Sequence, residues 1–462
     1  MSFVGRSREL ATLNKLYDEK SFQMVVMFGR RRVGKTTLIS EFINDKPSIF
    51  FTASEVNDRL NLSQFSEKVY AFFGIPESTG AFENWHDAFK FIAQKAQNQQ
   101  FILAFDEFPY AAAANRSLKS ILQAAIDHSF KNTGLFLILC GSHMGFMENE
   151  VLGYKSPLFG RRTAQIKLEG FDYFDAAKML EGFSYEDKLK LYACVGGTPH
   201  YLSQIKANES FEENIKRLFF DSSGYLYNEP MMLLQQELRE PAMYNSIITT
   251  IASGASRLNE ISTKIGEDST KVSKYLQTLV NLQIVQKIHP FGENPQNSRR
   301  GIYRVADNCY GFWYKFIFPN KPEIESGSGD IIAETELAKL SAYIGKPPFE
   351  TICTQYLQRV NKEKKLPFTA TSFGAWWGTD PKEKTQADFD VIAANRSSKQ
   401  ILLCECKWRN EINIDDIARK LIGKTHLLPE YQERYHYIFT KTSEKTTIED
   451  ATVITTEMLF DL

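Results

Sequence analysis

Short, almost continuously apolar runs alternate with helical segments over residues 1–170. The predicted strands are 22–28, 48–53, 101–105, 135–141 and 163–168. Runs with few polar positions are typical of strands buried on both faces, and helices between them indicate crossovers between parallel neighbours. The pattern therefore predicts an α/β domain built on a parallel sheet.

The periodicity is purely helical over residues 171–242 and then predicts three short helices and a hairpin within 243–318. In the third helix, Val272, Leu276 and Leu279 fall on one face and should form core contacts. Three helices followed by a hairpin with a polar tip predict a winged-helix domain. The charged, Pro/Gly/Ser-rich stretch 319–330 is the predicted linker to a last domain at 331–462.

Two helical segments open this last domain, and two short apolar strands joined by a polar turn follow within 387–411. Asp388 and Asp390 lie in the first of these strands, and Glu405 and Lys407 lie in the second. Charged side chains in strands that otherwise look buried are costly unless they are paired or bind a metal. The pattern indicates either a metal site or a salt-bridged core.

The bulk composition of the 462 residues is that of a globular chain of two to four domains. A formal net charge of −1 provides no global basic field, so any nucleic-acid partner must be bound by a local patch. No apolar run reaches the length of a membrane span, and the N-terminus lacks an apolar signal core. Six scattered cysteines fit a reducing compartment, so we expect a cytoplasmic protein without a membrane partner.

The stretch "GRRRVGKT" at 29–36 follows an apolar strand and opens a helix, which is the context of a phosphate-binding loop. Its backbone N–H groups would surround phosphate oxygens, Lys35 would reach the β- and γ-phosphates, and the Thr36 hydroxyl would bind Mg²⁺. The loop predicts ATP and Mg as cofactors. The predicted nucleotide-binding residues are Gly29, Arg30, Arg31, Arg32, Val33, Gly34, Lys35, Thr36 and Thr37.

The apolar strand in "FILAFDEF" ends in Asp106 and Glu107. An aspartate at such a strand end holds Mg²⁺ in P-loop enzymes, and the next glutamate can polarise the attacking water. Asp106 is therefore a predicted metal ligand and Glu107 a predicted catalytic residue. The alternative is an ordinary acidic pair at a helix N-terminus.

The ordered motifs "FVGRSREL", the P-loop, "FDEF", "LFLILCGSHMGFM", "SPLFGRRT" and "GGTPHYL" resemble the archaeal-type AAA+/STAND ATPases over about residues 1–310. The resemblance implies that 171–242 form a helical lid, that Ser142 senses the γ-phosphate and that Pro199 packs near the nucleotide. It also implies an arginine pair, Arg161 and Arg162, that stabilises transferred phosphate in cis or in trans. A solvated basic turn is the alternative for this pair.

The third helix of the predicted winged-helix domain carries Ser269, Thr270, Lys271, Ser273 and Lys274 near its N-terminus, where a recognition helix meets DNA. Residues 244–310 contain eight Lys/Arg and five Asp/Glu, a modest excess of positive charge. Each phosphate contact adds salt-sensitive affinity, so few contacts would bind DNA only moderately. DNA contact and interdomain packing both remain open for this module.

Strand alternation puts Glu405 and Lys407 on one face and the neighbouring cysteines on the other. With Asp390 beside them and Glu350 from the preceding helix, this set resembles the PD-(D/E)XK nuclease-like domain often fused to this ATPase family. The resemblance implies that Glu350, Asp390, Glu405 and Lys407 are catalytic and that Asp390 and Glu405 hold Mg²⁺. The site could cleave or only bind, and a buried ion-pair network is the alternative.

The predicted fold is α/β: a P-loop parallel-sheet ATPase with a helical lid, a winged-helix domain and a C-terminal α/β restriction-endonuclease-like domain. The expected function is Mg-dependent ATP binding and hydrolysis that controls a DNA-associated nuclease-like domain. The alternative is a STAND-type switch or DNA-binding regulator whose last domain does not cleave. The expected partners are ATP, DNA and, as a possibility, further copies of the chain.

Overall fold

The chain folds into two units in the computed structural model, which describes residues 3–443, 447–448 and 450–461. The first unit comprises Met1–Gly170 and Thr198–His200, and the second comprises Phe171–Gly197 and Tyr201–Leu462. The chain therefore returns to the first unit for the short segment Thr198–His200. The regions predicted as lid, winged helix and C-terminal domain lie together in the second unit.

A five-stranded parallel sheet forms the centre of the first unit, with strand order β2-β3-β4-β1-β5. Its strands are β1 Gln23–Phe28, β2 Ser48–Thr52, β3 Phe101–Asp106, β4 Leu135–Gly141 and β5 Ala164–Lys167. The helices are α1 Ser7–Asp18, α2 Lys35–Ile43, α3 Asp58–Phe73, α4 Trp85–Ala96, α5 Phe108–Ala114, α6 Leu118–His128 and α7 Met144–Phe146. Strands β1, β3 and β4 are buried throughout because both sheet faces are covered, as the apolar runs predict.

The region predicted as a lid is helical, as the periodicity indicates. Its helices are α8 Tyr173–Ala177, α9 Tyr185–Val195, α10 Pro199–Leu202, α11 Phe211–Ile215 and α12 Glu229–Glu237. Helices α8, α9 and α11 are preceded by the N-cap residues Asp172, Ser184 and Ser210, whose side chains accept backbone N–H hydrogen bonds. The sequence therefore specifies these helix starts locally.

Three helices and a two-stranded antiparallel hairpin follow, in the order that the sequence predicts. They are α13 Pro241–Ala252, α14 Leu258–Ile265, α15 Ser269–Asn281, β6 Val285–Ile288 and β7 Ile302–Val305. Val272, Leu276 and Leu279 are fully buried, which confirms the predicted core face of α15. Residues between β6 and β7 form the polar tip of the hairpin.

The stretch 319–330, predicted as a linker, is helical over most of its length. The helices of this region are α16 Asn308–Phe312, α17 Lys321–Glu323, α18 Gly329–Leu337 and α19 Leu340–Gly345, with further helical turns at Trp313–Ile317 and Ile324–Ser328. Ile324 is buried, and a Cβ added to Gly329 would lie 1.9 Å from the carbonyl oxygen of Phe220. The glycine that suggests flexibility is required here for close packing.

A six-stranded mixed sheet with order β12-β13-β11-β10-β9-β8 forms the C-terminal region. Its elements are α20 Pro348–Lys362, β8 Ser372–Thr379, β9 Gln386–Asn395, β10 Gln400–Lys407, α21 Ile414–Gly423, β11 Glu433–Thr440, β12 Thr447–Ile448 and β13 Ala451–Ile454. Strands β8, β9 and β10 are antiparallel neighbours, and α21 connects β10 to its parallel neighbour β11. The core of this region includes Phe389, Ile392, Leu403 and Ile438.

None of the helices among the described residues combines the length and apolar character that a bilayer crossing requires.

Candidate functional site

The loop between β1 and α2 has the backbone of a phosphate-binding loop. Gly34 has φ +88° at the start of α2, and Arg32 also has a positive φ, of 69°. A Cβ on Gly29 would lie 2.2 Å from the carbonyl oxygen of Leu168, so only glycine fits there. The loop therefore needs glycine at both predicted positions: Gly34 for its backbone conformation and Gly29 for lack of space for a side chain.

The ammonium of Lys35 lies over this loop and is buried. Its Nζ donates hydrogen bonds to the carbonyl oxygens of Gly29 and Arg30, each over 2.9 Å. Val33 is buried in the core, whereas Thr36 and Thr37 are exposed at the start of α2. The structure thus brings together the predicted phosphate-binding residues at the N-terminus of a nine-residue helix, where backbone N–H groups favour anions.

The hydroxyl of Thr36 donates to Oδ2 of Asp106 over 3.0 Å. The other carboxylate oxygen of Asp106 accepts from the backbone N–H of Glu107, also over 3.0 Å. A hydroxyl and a carboxylate at the end of the P-loop are oxygen ligands of the kind Mg²⁺ prefers. These residues fit the ion that the sequence predicts.

Glu107 and Ser142 interact directly because β3 and β4 are neighbours in the sheet. The Ser142 hydroxyl donates to Oε1 of Glu107, and its backbone N–H donates to Oε2 over 3.3 Å. Glu107 has φ +49°, a conformation that is uncommon for residues with a Cβ and is often found at functional sites. Ser142 therefore orients the predicted catalytic carboxylate.

Two other loop features are held by protein contacts. Arg31 donates to the Tyr110 hydroxyl over 3.0 Å, so this arginine is tied to the helix that follows Glu107. A Cβ built on Gly34 would lie 3.9 Å from Cγ of Pro199, so Pro199 lies beside the loop; its packing near the nucleotide stays a prediction.

Arg161 forms an ion pair with Asp127 at the end of α6. Its Nη2 lies 2.6 Å from Oδ2 of Asp127, and its Nη1 donates to the carbonyl oxygens of Pro157 and Phe159. The hydrogen bonds from Arg161 and Lys131 lower the pKa of Asp127 to about 2. A phosphate contact from Arg161 would require this ion pair to break, so the nucleotide-binding role of Arg161 stays a prediction. Arg162 is exposed, and its nucleotide-binding role stays a prediction as well.

The second predicted site lies at one end of the C-terminal sheet. Val391 pairs with Cys404, which puts Asp390 and Glu405 beside each other on adjacent strands. Oδ2 of Asp390 accepts a hydrogen bond from the backbone N–H of Cys406 over 2.9 Å. Cys404 and Cys406 are buried, which agrees with their predicted packing role.

Lys407 completes this group, with Nζ 2.6 Å from Oε1 of Glu405 and 3.7 Å from Oδ2 of Asp390. Burial by itself would lower the pKa of Lys407, but the two carboxylates outweigh it and raise that pKa. The lysine is therefore held in its charged form. Nζ of Lys424, which follows α21, lies 3.6 Å from Oε2 of Glu405 and adds a second cation.

Glu350 enters from the first turn of α20 and is buried. Lys346 Nζ lies 3.0 Å from Oε1 of Glu350 and 3.7 Å from Oδ1 of Asp390, and Nη1 of Arg304 lies 3.3 Å from Oε2 of Glu350. Burial raises the pKa of Glu350, Lys346 opposes this shift, and Asp390 adds to it. The four predicted residues thus come together in one charged cluster.

Sequence reasoning missed Lys346, Arg304 and Lys424. Lys346 lies in an extended conformation between α19 and α20, outside the helix that carries Glu350, and Arg304 comes from the distant strand β7. Neither position gives a local sequence signal for its contact with Glu350. Among the described residues, no group of three or more His, Cys, Asp or Glu side chains is arranged to hold a metal ion. The cluster offers a divalent ion only two adjacent carboxylates, Asp390 and Glu405.

The parallel sheet, the glycine-containing loop and the Thr36–Asp106 pair define the class of P-loop ATPases. Residues 3–205 match a family described as an ATPase domain predominantly from Archaea. Residues 313–419 match a second family, described as archaeal and bacterial proteins of unknown function.

An uncharacterized protein of Methanocaldococcus jannaschii is 31% identical over 449 residues, covering 96% of this chain and 97% of that protein. The chain therefore belongs to the archaeal-type family of P-loop ATPases and binds ATP. A second protein of that organism, an uncharacterized ATP-binding protein, is 43% identical over 44 residues, which are 10% of this chain and 75% of that protein.

The Walker-type ATPase of Pyrococcus abyssi is a structural neighbour. It superimposes with a TM-score of 0.53 at 20% sequence identity, over 68% of this chain and 96% of that one. At this identity the likeness establishes a shared fold.

Proposed function

We propose that this ATPase is Mg²⁺-dependent and that its nucleotide state controls a nuclease-like C-terminal domain that acts on nucleic acid, with DNA as the expected substrate. The observation that carries the proposal is the convergence of Glu350, Asp390, Glu405 and Lys407 at one end of the C-terminal sheet. These residues come from a helix and two adjacent strands that are distant in sequence. The order helix, three antiparallel strands, helix and parallel strand supports a restriction-endonuclease-like core.

In the nucleotide site, Lys35 would neutralise the β- and γ-phosphates. Thr36 and Asp106 would hold Mg²⁺, which when bound would offset charge that develops on the phosphates. Glu107 polarises the attacking water, since its carboxylate lies next to Asp106 and is oriented by Ser142. Ser142 reports the state of the γ-phosphate through the same hydrogen bonds. Arg161 or Arg162 acts on phosphate only after rearrangement or from another copy of the chain.

In the C-terminal site, Asp390 and Glu405 would hold the divalent ion, which would supply activation of water and stabilisation of charge on the phosphate. Lys407 is already charged and within ion-pair distance of both carboxylates, so it is suited to position the water or the phosphate. Glu350 faces the same cluster and can orient a bound water. Lys346 and Lys407 must shift to admit the metal, because each now contacts Asp390.

Control by nucleotide is supported by contacts between α20 and the helical lid. Gln355 exchanges hydrogen bonds with the Tyr192 hydroxyl over 3.0 and 3.3 Å, and Arg359 pairs with Asp172 and Asp175. Because α20 also carries Glu350, a displacement of the lid would move this carboxylate relative to Asp390. Thr198–His200 belong to the first unit and are continuous in sequence with the lid residues on either side, so an ATP-driven change at these residues would be passed along the chain to the lid.

A non-cleaving regulator is the second candidate, and the ion pairing of the cluster favours it. Glu350, Asp390 and Glu405 each have a lysine or arginine within ion-pair distance, so the cluster is electrically balanced without a metal. Such a domain could bind nucleic acid without hydrolysing it. In that case the hairpin and α15 would supply the phosphate contacts.

The test is Mg²⁺- or Mn²⁺-dependent degradation of single-stranded DNA, double-stranded DNA and RNA by the full chain, with and without ATP. We expect Asp390→Ala and Lys407→Ala to abolish degradation while ATP hydrolysis continues. Lys35→Ala should weaken ATP binding and remove any ATP dependence of degradation. Lys362→Ala, on the exposed face of α20, is the matched control and should degrade nucleic acid like the wild type.

If wild-type protein leaves every substrate intact under all these conditions, the cleaving function is wrong and the regulator remains. Binding of the same substrates without cleavage, measured by fluorescence anisotropy, would support that second candidate. Absence of ATP hydrolysis in wild-type protein would contradict the assignment of Glu107 as the catalytic base.

A further inference from the structure

A cavity of about 300 Å³ lies between the β6–β7 hairpin and the β8–β9 edge of the C-terminal sheet. Its apolar lining includes Ile288, Ile302, Tyr303, Trp376, Trp377 and Phe389. This volume is at the lower end of the range for small-molecule sites, which are mostly apolar with a few placed polar groups. The cavity can therefore take one small, flat group.

The polar end of the cavity is the charged cluster already described, since Lys346, Glu350, Asp388 and Asp390 also line it. Trp377 pairs directly with Asp388 across β8 and β9, so the two side chains leave the sheet on the same face. Lys346 Nζ lies 3.7 Å from both Asp388 Oδ2 and Asp390 Oδ1, so Asp390 is on that side as well. An aromatic ring and a carboxylate are thus adjacent at the entrance to the cluster.

The charges that line this end of the cavity disfavour a phosphate bound there without a metal ion. Three carboxylates, Glu350, Asp388 and Asp390, face two cations, Lys346 and Arg304. Asp388 is about half exposed, and its ion-pair contact with Lys346 Nζ is long, at 3.7 Å. A group that stacks on an aromatic ring and donates N–H hydrogen bonds to a carboxylate matches this surface.

We propose that the cavity binds a planar heteroaromatic ring bearing an amino group, that is, a nucleobase, stacked on Trp377 with its amino group donating to Asp388. The ring comes either from a nucleic-acid strand or from a free nucleoside. The inference rests on the proposed function in that it names the ligand of the same cluster. Base stacking on an aromatic side chain is tolerant of sequence, so the amino group provides the selectivity.

Intrinsic fluorescence provides a local signal for the test. Of the five tryptophans, Trp85, Trp313 and Trp408 are buried, whereas Trp376 and Trp377 are partly exposed beside the cavity. The full chain is kept in EDTA, so that no strand is cleaved, and is saturated with pyrophosphate, which fills the P-loop without supplying a nucleobase. It is titrated with deoxyadenosine, thymidine, oligodeoxyadenylate and the same strand made abasic. We expect saturable quenching by deoxyadenosine and by oligodeoxyadenylate, and none by thymidine or the abasic strand.

Two variants keep both reporting tryptophans. Ile302→Phe narrows the cavity and should raise the Kd for deoxyadenosine at least about tenfold. Asp388→Asn should raise the same Kd because it removes the charged acceptor. Ile331→Phe, at an exposed position outside the cavity, is the matched control and should bind like the wild type. Circular dichroism and thermal unfolding establish that each variant is folded.

Quenching by the oligonucleotide alone would support the proposed site and identify its ligand as a nucleic-acid strand. Quenching by the nucleoside alone would support the site and identify its ligand as a free nucleoside. Lack of saturable quenching by both, or unchanged binding by folded Ile302→Phe, would overturn the proposal. Equal binding of thymidine and deoxyadenosine would overturn the role of Asp388. The cleavage assay does not depend on these fluorescence signals. Nucleobase binding in the cavity can therefore be disproved while nuclease activity is confirmed, and nuclease activity can be disproved while nucleobase binding is confirmed.

Discussion

Arg359 and Asp172 form a two-bond ion pair in which Nε and Nη2 of the arginine donate to the two carboxylate oxygens over 2.5 and 2.6 Å. The same guanidinium lies 2.6 Å from Oδ2 of Asp175. Burial would lower the pKa of Arg359, but the two aspartates outweigh it and raise that pKa. One arginine thus fixes the helix that carries Glu350 to the start of α8.

Replacing this arginine should uncouple the C-terminal region from the lid. We expect Arg359→Ala to cost about 1–2 kcal/mol of unfolding free energy, since the pair is only partly buried. Hydrogen exchange of the α20 amides should differ between ATP- and ADP-bound wild type, and this difference should disappear in the variant. Lys362→Ala is the control on the same helix, and a nucleotide response preserved in Arg359→Ala would contradict the coupling.

The contact between Ser142 and Glu107 leads to a prediction about turnover. Glu107→Gln should bind ATP normally and hydrolyse it at least about a hundredfold more slowly, because the amide is a poor base. Ser142→Ala leaves the carboxylate in place but removes the hydroxyl donor, so we expect a smaller loss, of about tenfold, in kcat with little change in KM. Steady-state ATPase assays measure both. Normal turnover by Glu107→Gln would remove the assignment of the base.

The Asp127–Arg161 pair predicts a specific pH dependence of stability. The pKa of Asp127 falls from its ordinary value of 3.8 to about 2 in the folded protein. A lowered carboxyl pKa contributes stability above the unfolded pKa, and that contribution is lost as the pH falls from about 4 to 2. Asp127→Asn should therefore be less stable than wild type at pH 6, by about 1 kcal/mol at this mostly solvated site.

The difference in unfolding free energy between wild type and Asp127→Asn should become smaller as the pH is lowered to 2. Denaturant unfolding at a series of pH values measures it. A difference that is independent of pH would show that the ion pair does not stabilise the fold.

Gly329 tests whether the region first read as a linker is packed. Gly329→Ala would place Cβ 1.9 Å from the carbonyl oxygen of Phe220, so the backbone must shift. We expect a loss of at least about 2 kcal/mol of unfolding free energy. Gly423→Ala is the matched control, because nothing lies within 4 Å of its added Cβ. Equal stability of the two variants would support a flexible linker after all.

The parallel sheet and the P-loop were predictable because their signals are local. Buried strands read as continuous apolar runs, and the loop places Gly29, Lys35 and Thr36 at fixed spacing between a strand and a helix. Residues 319–330 are mostly helical although their composition is typical of a linker, because composition records how easily a backbone bends and not what packs on it. Composition cannot show that Gly329 packs against Phe220, because the two residues are far apart in the sequence.

The sequence by itself determined the strand–loop–helix of the nucleotide site, the buried face of α15 and the alternation that separates Glu405 from Cys404. Each follows from periodicity or spacing within one or two elements. Only the tertiary structure decided that Arg304 pairs with Glu350, that Arg161 pairs with Asp127 and that a cavity lies beside Trp377. The physical reason is that ion pairs and cavities depend on which elements, distant in sequence, come into contact. No local sequence pattern specifies which elements those are.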